Sequence, residues 1–551
     1  MKKLIVPAVL SLGISGVAFS QSMNDFPAVP GEVVVKVKKG NLGKFLGKKS
    51  LLGVDLKKSM TLLAGDYVVL QSKNKSVSSL IVDLKAMPEV AYAEPNFLYK
   101  AIGNESADPM YGKLWGLTNT GSNEPDRTGG SYSGTAGVAG ADINAEKAWS
   151  ITKGSKKVVI AVIDTGIDYN HPDLKDNMWV NEGEIPGNGI DDDGNGYIDD
   201  VYGWNAASDN GNPMDGNDHG THCAGTIGAS HNNVGVAGVM SDVQLMAVKF
   251  LTDSGSGSSA DAIEAIDYAT KMNVDIMSNS WGGGGYSQAL KDSIEEANKR
   301  GILFVAAAGN SSTNNDSSPH YPSNYEVDNV ISVASHTNKD ELSSFSCYGK
   351  RTVHVAAPGT NILSTTPNNG YKVFSGTSMA TPHVAGVLGL FVASEGRLNV
   401  NTVKERLLAT TVPAGAYRRT TISGGRVDAY NLLTDTRIPR QGPDESQWRV
   451  ENLSEVFETA HPYANNTKFS QTYSFPGAKY VKIVVEKYDT ESNYDFVILK
   501  DGNGKVVEKI SGKGENFESD YAETDSITVE FTTDSSTTKW GAVIKQVKVI
   551  Y

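Results

Sequence analysis

The chain has 551 residues, which at ~100–200 residues per domain leaves room for several domains. Its net charge of −13 argues against nucleic-acid binding, which needs a basic face, and its acidic loops suit a hard cation such as calcium. With only Cys223 and Cys347 in a chain this long, a disulfide framework is excluded, and both are expected to stay free thiols.

Lys2 and Lys3 precede an apolar run over residues 4–19, with small residues at Ala18 and Ser20. A charged start, a short apolar stretch and a small-residue cut site read as a secretory signal peptide over 1–20, so the protein is expected to be secreted, to the medium or the periplasm. The run is shorter than the ~20 residues of a membrane span, and no later segment is apolar enough to cross.

Residues 21–107 form a Lys-rich unit with predicted strands at 32–38, 66–71 and 90–94 and a helix at 77–87. Val77, Leu80, Ile81 and Leu84 recur at helical spacing. The stretch between the first two strands reads as a polar linker, 101–108 as a loop, and the whole as a small α+β sandwich. From 108 to 436 short apolar strands (158–163, 245–248, 276–278, 303–306, 330–333) alternate with helices (260–271, 286–299, 378–393). That alternation predicts an α/β unit: a parallel sheet covered by helices on both faces, with its site at the carboxyl ends of the strands. Residues 438–444, with Pro439 and Pro443, read as a linker. Beyond it, strands at 481–486, 495–500, 505–510, 526–531 and 543–550, separated by turn residues, predict a β-sandwich over 445–551.

Peptide hydrolysis by a serine needs a hydroxyl, a base, a carboxylate to hold the base, and donors for the oxyanion. Residues 160–168 read I-A-V-I-D-T-G-I-D and set Asp164 at a strand end. Residues 218–226 read D-H-G-T-H-C-A-G-T and set His219 at the start of a small-residue helix. Residues 306–310 read A-A-A-G-N and bring the Asn310 amide to the same sheet edge. Residues 376–383 read G-T-S-M-A-T-P-H and put Ser378 at a helix N-terminus, where partial positive charge favours a developing anion.

With the order Asp, His, Ser, residues 108–436 resemble the subtilase family of serine peptidases. The resemblance implies a subtilisin-like catalytic domain over 108–437, in which Ser378 attacks the carbonyl. His219 acts as base and then acid, Asp164 holds the imidazole, and the Asn310 amide and the Ser378 N–H receive the oxyanion. It makes the first histidine of H-G-T-H the base, leaves His222 and His383 structural, and sets Cys223 close to His219. It implies that residues 279–282 and 251–257 pair with substrate as antiparallel strands. The pocket for the residue before the cut bond (P1) would lie between Ser280, Trp281 and Gly282 on one side and Ala308 and Gly309 on the other. Small walls without charge suit an apolar or aromatic P1. Ser259 would leave the more distant S4 pocket open.

Two calcium sites are expected. Residues 191–200 read D-D-D-G-N-G-Y-I-D-D, with Asp191, Asp193, Asn195 and Asp199 at positions 1, 3, 5 and 9 of a calcium loop, and Tyr202 where a bidentate Glu would stand. The family resemblance implies a second site at Asp108, Asp173 and Asn232, completed by the carbonyls of Ser230, Val234 and Val236. Residues 21–107 resemble an inhibitory propeptide cut by the enzyme itself between Tyr99 and Asp108, with Lys100–Ala101 a candidate bond. Residues 445–551 resemble CUB-like or pre-peptidase C-terminal modules, in which Glu491, Asp495 and Asp534 are candidate calcium ligands. The expectation is a secreted, autoprocessed, monomeric endopeptidase that acts on proteins, with its own propeptide as inhibitor, no nucleic-acid partner and no membrane span. A binding protein that merely kept the fold would need neither the triad nor Asn310.

Overall fold

The computed structural model describes residues 28–48, 53–101, 111–125, 136–439, 442–492 and 494–551. The predicted signal peptide, Asp108 and the loop after Ala101 lie outside them. Strand Ala28–Val37 pairs with Gly65–Gln71 on one side and Val90–Ala101 on the other, and Asp55–Leu62 extends the antiparallel sheet. Side-chain alternation splits the first strand between two faces. Val33, Val35 and Val37 pack with helices Leu42–Gly47 and Val77–Lys85, while Val34 joins the core of the central unit.

The stretch read as a linker holds helix Leu42–Gly47 and strand Asp55–Leu62. The helix is under two turns long and buries only Phe45, too little for a visible periodicity. The last strand runs on to Ala101 instead of stopping at Glu94, because its second half finds its partners in the central unit.

The central unit is built on a nine-stranded sheet. Its order is Val412–Pro413, Gly425–Arg426, Val355–Pro358, Val330–His336, Leu303–Ala307, Ile276–Asn279, Gly154–Asp164, Asp242–Lys249 and Gly203–Asn205. All neighbours run parallel except the first pair. Helices Ser259–Lys271 and Gln288–Lys299 cover one face, and His219–Gly228 and Thr377–Glu395 the other. Burial on both faces explains why the strands read as continuous apolar runs. Thr377–Glu395 is the one described helix long and apolar enough to cross a membrane, and it is buried in this core.

The C-terminal unit has two four-stranded antiparallel sheets. One contains Arg449–Glu458, Gly541–Ile550, Tyr480–Asp489 and Lys513–Ala522; the other contains Lys468–Ser474, Ser526–Thr532, Phe496–Asp501 and Val506–Ile510. They enclose one core around Phe457, Tyr463, Val485 and Phe531. Three of these strands escape prediction for a plain reason: Arg449–Glu458, for example, buries only Leu453 and Phe457 in ten residues.

Candidate active site

The parallel strands deliver the predicted residues to one edge. Asp164 ends Gly154–Asp164, His219 opens His219–Gly228, Asn310 follows Leu303–Ala307, and Ser378 is the second residue of Thr377–Glu395. The His219 Nδ1–H donates to Asp164 Oδ1 at 2.8 Å, with both residues buried. The same oxygen accepts the Thr165 N–H at 2.7 Å. Ser378 Oγ donates to the Ser280 carbonyl at 2.9 Å, and the Ser280 hydroxyl donates to the Ser378 carbonyl at 2.8 Å.

Cys223 stands between the two halves of the site. Its Sγ lies within 4.8 Å of the facing His219 and Asp164 atoms and 3.5 Å from the Ser378 carbonyl. Burial pushes its thiol well above the usual pKa, so it stays protonated. His222 belongs to the core: its ring stacks on Phe374 and its Nε2–H faces the carbonyls of Ile362 and Lys372 at 3.0 and 3.1 Å. Burial drops its pKa to about 3, which keeps it neutral. His383 is likewise buried, with Nδ1 2.8 Å from the Met379 carbonyl and its pKa pushed down to about 4. Cys347 is also a free, buried thiol.

Asn310 is oriented by Thr377, which the sequence reading passed over although it stands beside Ser378 in the motif. Asn310 Oδ1 accepts both the Thr377 N–H at 2.9 Å and the Thr377 hydroxyl at 3.0 Å. Thr377 Oγ1 in turn accepts the Gly309 N–H at 3.1 Å. Fixing the oxygen of the amide fixes the direction of its NH2 group.

The cleft holds a strand of the same chain. Leu98, Tyr99 and Lys100 pair antiparallel with Ser258, Gly257 and Ser256, and on the other side Lys100 and Ala101 pair with Gly282 and Trp281. Trp281 offers only its backbone there, because its ring is wholly buried against Phe250 at a centroid distance of 4.7 Å. Ser259 is covered by that strand: it donates to Asn96 Oδ1 and accepts the Phe97 N–H, each at 3.0 Å. Ala308 is buried, and Gly309 takes a φ of +110 that favours glycine.

The same strand caps two helices, a role invisible in its sequence. Glu94 accepts the Ser287 hydroxyl and the Gln288 and Ala289 N–H groups at the start of Gln288–Lys299. Asn96 Oδ1 accepts the Ala260 N–H at 3.1 Å at the start of Ser259–Lys271. Complete burial pushes the Glu94 carboxyl up to about 7 despite these donors.

The predicted calcium loop is corrected in part. Asp191 and Asp193 converge with Glu184, their facing oxygens within 4.8 Å. Asp199 turns away: its carboxylate caps the N–H groups of Gly187, Asn188 and Gly189. Asn195 spends its Oδ1 on the Tyr197 N–H. Glu184 lies outside the loop pattern, and only the fold brings it in. At the second site Asp173 Oδ2 accepts the Val236 N–H at 3.0 Å and the Tyr371 hydroxyl at 2.8 Å, while Oδ1 is buried without a partner. A cation would relieve that orphaned oxygen, and a carboxylate oxygen suits calcium. Ser230 donates its N–H to the Asp173 carbonyl at 2.8 Å, and Asn232 Oδ1 is held by the Val234 N–H at 2.8 Å. Glu491, Asp495 and Asp534 also converge, with Asp495 accepting the Asp534 N–H at 2.8 Å.

A profile of the Subtilase family matches residues 155–447. "Subtilisin-like protease 1" of Plasmodium falciparum is 39% identical over 301 residues, which cover 50% of this chain and 44% of that protein. The chain thus spans less than half the length of that relative. "Thermophilic serine proteinase" of a Bacillus species is 35% identical over 360 residues, 65% of this chain and 76% of that protein. "Thermitase" of Thermoactinomyces vulgaris is 39% identical over 294 residues, 53% of this chain and 93% of that protein.

Proposed function

Because the chain belongs to the subtilase family, we propose that it is a secreted, autoprocessed serine endopeptidase that hydrolyses peptide bonds in proteins. Ser378 is the nucleophile. Asp164 holds the Nδ1–H of His219, so that Nε2 is the nitrogen without a proton. As Oγ attacks the carbonyl carbon, its proton passes to Nε2, and the oxyanion is received by the Asn310 amide and the Ser378 N–H. His219 then protonates the leaving amine, and water releases the acyl group by the same steps in reverse.

The observation that carries this reading is the strand ending at Ala101, held on both sides in the cleft beside Ser378. It supports residues 21–107 as an inhibitory propeptide that is also the first substrate. Lys100 and Ala101 themselves pair with Gly282 and Trp281, which favours a cut beyond them and before Asp108 over the Lys100–Ala101 bond. The P1 pocket lies between Ser280–Gly282 and Ala308–Gly309 and takes apolar side chains. Residues 1–20 act as signal peptide, residues 108–437 as the catalytic unit of a monomer, and residues 445–551 as a CUB-like or pre-peptidase C-terminal module.

The test is expression of the full chain with Ser378→Ala. Wild type should yield a new N-terminus between Ile102 and Asp108, cleave casein and react with a fluorophosphonate; the variant should stay uncut. Unchanged processing in the variant, or a wild type that neither cleaves nor reacts, would sink the reading. Calcium held by Asp108, Asp173, Asn232 and the carbonyls of Ser230, Val234 and Val236, and by Asp191, Asp193 and Glu184, would stabilise the folded state by mass action. Chelation should lower the melting temperature, and Asp173→Asn should blunt that response.

A further inference from the structure

We infer that His320 sets the depth of the P1 pocket and selects short side chains there over large aromatic ones. The inference rests on the endopeptidase reading above and narrows the apolar-or-aromatic expectation. Gly282 and Gly309 stand on the two walls proposed for this pocket, and the imidazole of His320 lies against both. A Cβ built on Gly282 would fall 2.1 Å from His320 Cε1, and one built on Gly309 would fall 2.9 Å from Cδ2. Nε2 faces both positions, at 2.8 and 3.0 Å. The slot between the glycines is thus filled at one end by a ring, not left as an open apolar cavity.

The turn that carries the ring is tied to both walls. The Gly283 N–H donates to the Tyr321 carbonyl at 3.0 Å, which ties the His320 turn to the Ser280–Gly282 wall. Asn324 closes that turn, accepting the His320 N–H at 3.1 Å and donating its own N–H to the His320 carbonyl at 2.9 Å. The Asn324 amide also reaches the Asn315 carbonyl at 3.0 Å, and the Asn315 amide reaches the Ala308 carbonyl at 2.9 Å, on the opposite wall. These bonds fix the backbone that carries the ring, and on the ring itself Nδ1 lies 3.4 Å from the Ser323 hydroxyl. The packed surroundings also lower the pKa of the imidazole, so it offers no cation to an acidic substrate side chain at neutral pH. What remains is a short slot with a neutral polar end.

The test uses mature enzyme and peptides that differ only at P1, comparing Ala with Phe. Wild type should favour Ala by at least about tenfold in kcat/KM, and His320→Ala should raise the Phe-to-Ala ratio by at least about tenfold, the scale on which a pocket filled or emptied by one ring discriminates. His320→Gln, which keeps much of the bulk, should stay near the wild-type ratio. The ratio is read within each protein, so it does not depend on the folded fraction. Should His320→Ala yield no active enzyme, His320→Ser is read in the same way. A fluorophosphonate-reactive wild type that cleaves after Phe as well as after Ala would overturn the role of His320 and leave the endopeptidase reading standing. So would an unchanged ratio in the small variants. A wild type that neither reacts nor cleaves any peptide would overturn both.

Discussion

The N-terminal unit and the C-terminal sandwich both dock on the central sheet unit, but they hold it by different forces. The first merges its core with that of its host: Val34, Met60, Tyr67, Val69 and Phe97 share one apolar cluster with the helices Ser259–Lys271 and Gln288–Lys299. It adds a strand to two backbone segments and caps two helices with Glu94 and Asn96. The sandwich keeps its apolar core to itself and touches the central unit through charge. Arg351 pairs with Glu508, Lys350 and Arg419 pair with Asp520, and Arg418 pairs with Glu523 and stacks over Tyr521. Apolar burial and backbone pairing suit a unit that must fit its host closely in one register; an ion pair with an exposed partner, such as Arg418–Glu523, positions a neighbour at little gain in stability.

The contrast can be broken in four ways, taken from the largest expected effect to the smallest. Ser378→Ala should lower peptidase activity by roughly six orders of magnitude. It should also leave the N-terminal strand in the cleft, seen as hydrogen-exchange protection of the Val90–Ala101 amides. In that background Glu94→Ala should cut this protection by about 5- to 150-fold, because the buried Ser287 hydroxyl and two N–H groups lose their acceptor, at a cost of about 1–3 kcal/mol. Protection in the region of Lys468–Ser474 in the sandwich should not change. If it did, the two contacts would not be independent.

The third is pH. The Glu94 carboxyl titrates near 7 when docked and near its ordinary ~4.3 when exposed, so docking takes up a proton. Its contribution is therefore fully present below about 4.3 and is lost as pH rises through 7, by up to about tenfold in protection per pH unit after correction for intrinsic exchange. The nearby Asp292 pushes in the same direction. Glu94→Gln should flatten the slope, and a slope of opposite sign would refute the assignment. The smallest effect is ionic. Raising salt to about 1 M, or replacing the exposed Glu523 by Ala, should loosen the sandwich by about 1 kcal/mol or less, measured as increased proteolysis of the 437–449 connection, with no change in the N-terminal strand.

Much of the central unit was legible because its physics is local. A strand buried on both faces must be apolar throughout, and helices of small residues show their packing in their composition. Asp164, His219, Asn310 and Ser378 were each marked by a short motif at a strand end or helix start. The weaker readings failed for stated reasons. A helix with one buried side chain and strands with two have too little pattern to detect, as at Leu42–Gly47 and Arg449–Glu458. The acidic loop departs from its pattern because that spacing assumes that each carboxylate turns inward, whereas Asp199 caps a turn that the pattern does not describe.

The sequence by itself determined which groups are on offer: the serine, histidine and aspartate proposed as nucleophile, base and orienting carboxylate, and the sheet that carries them. Those choices are written in residue type, order and periodicity. Only the tertiary structure decided which groups meet. It sent His222 into the core, buried the Trp281 ring, brought Glu184 to Asp191, ran the N-terminal strand on to Ala101, and set His320 between Gly282 and Gly309. These contacts join residues tens to hundreds of positions apart. They follow from strand order and from burial on a shared face, which no local pattern along the chain encodes.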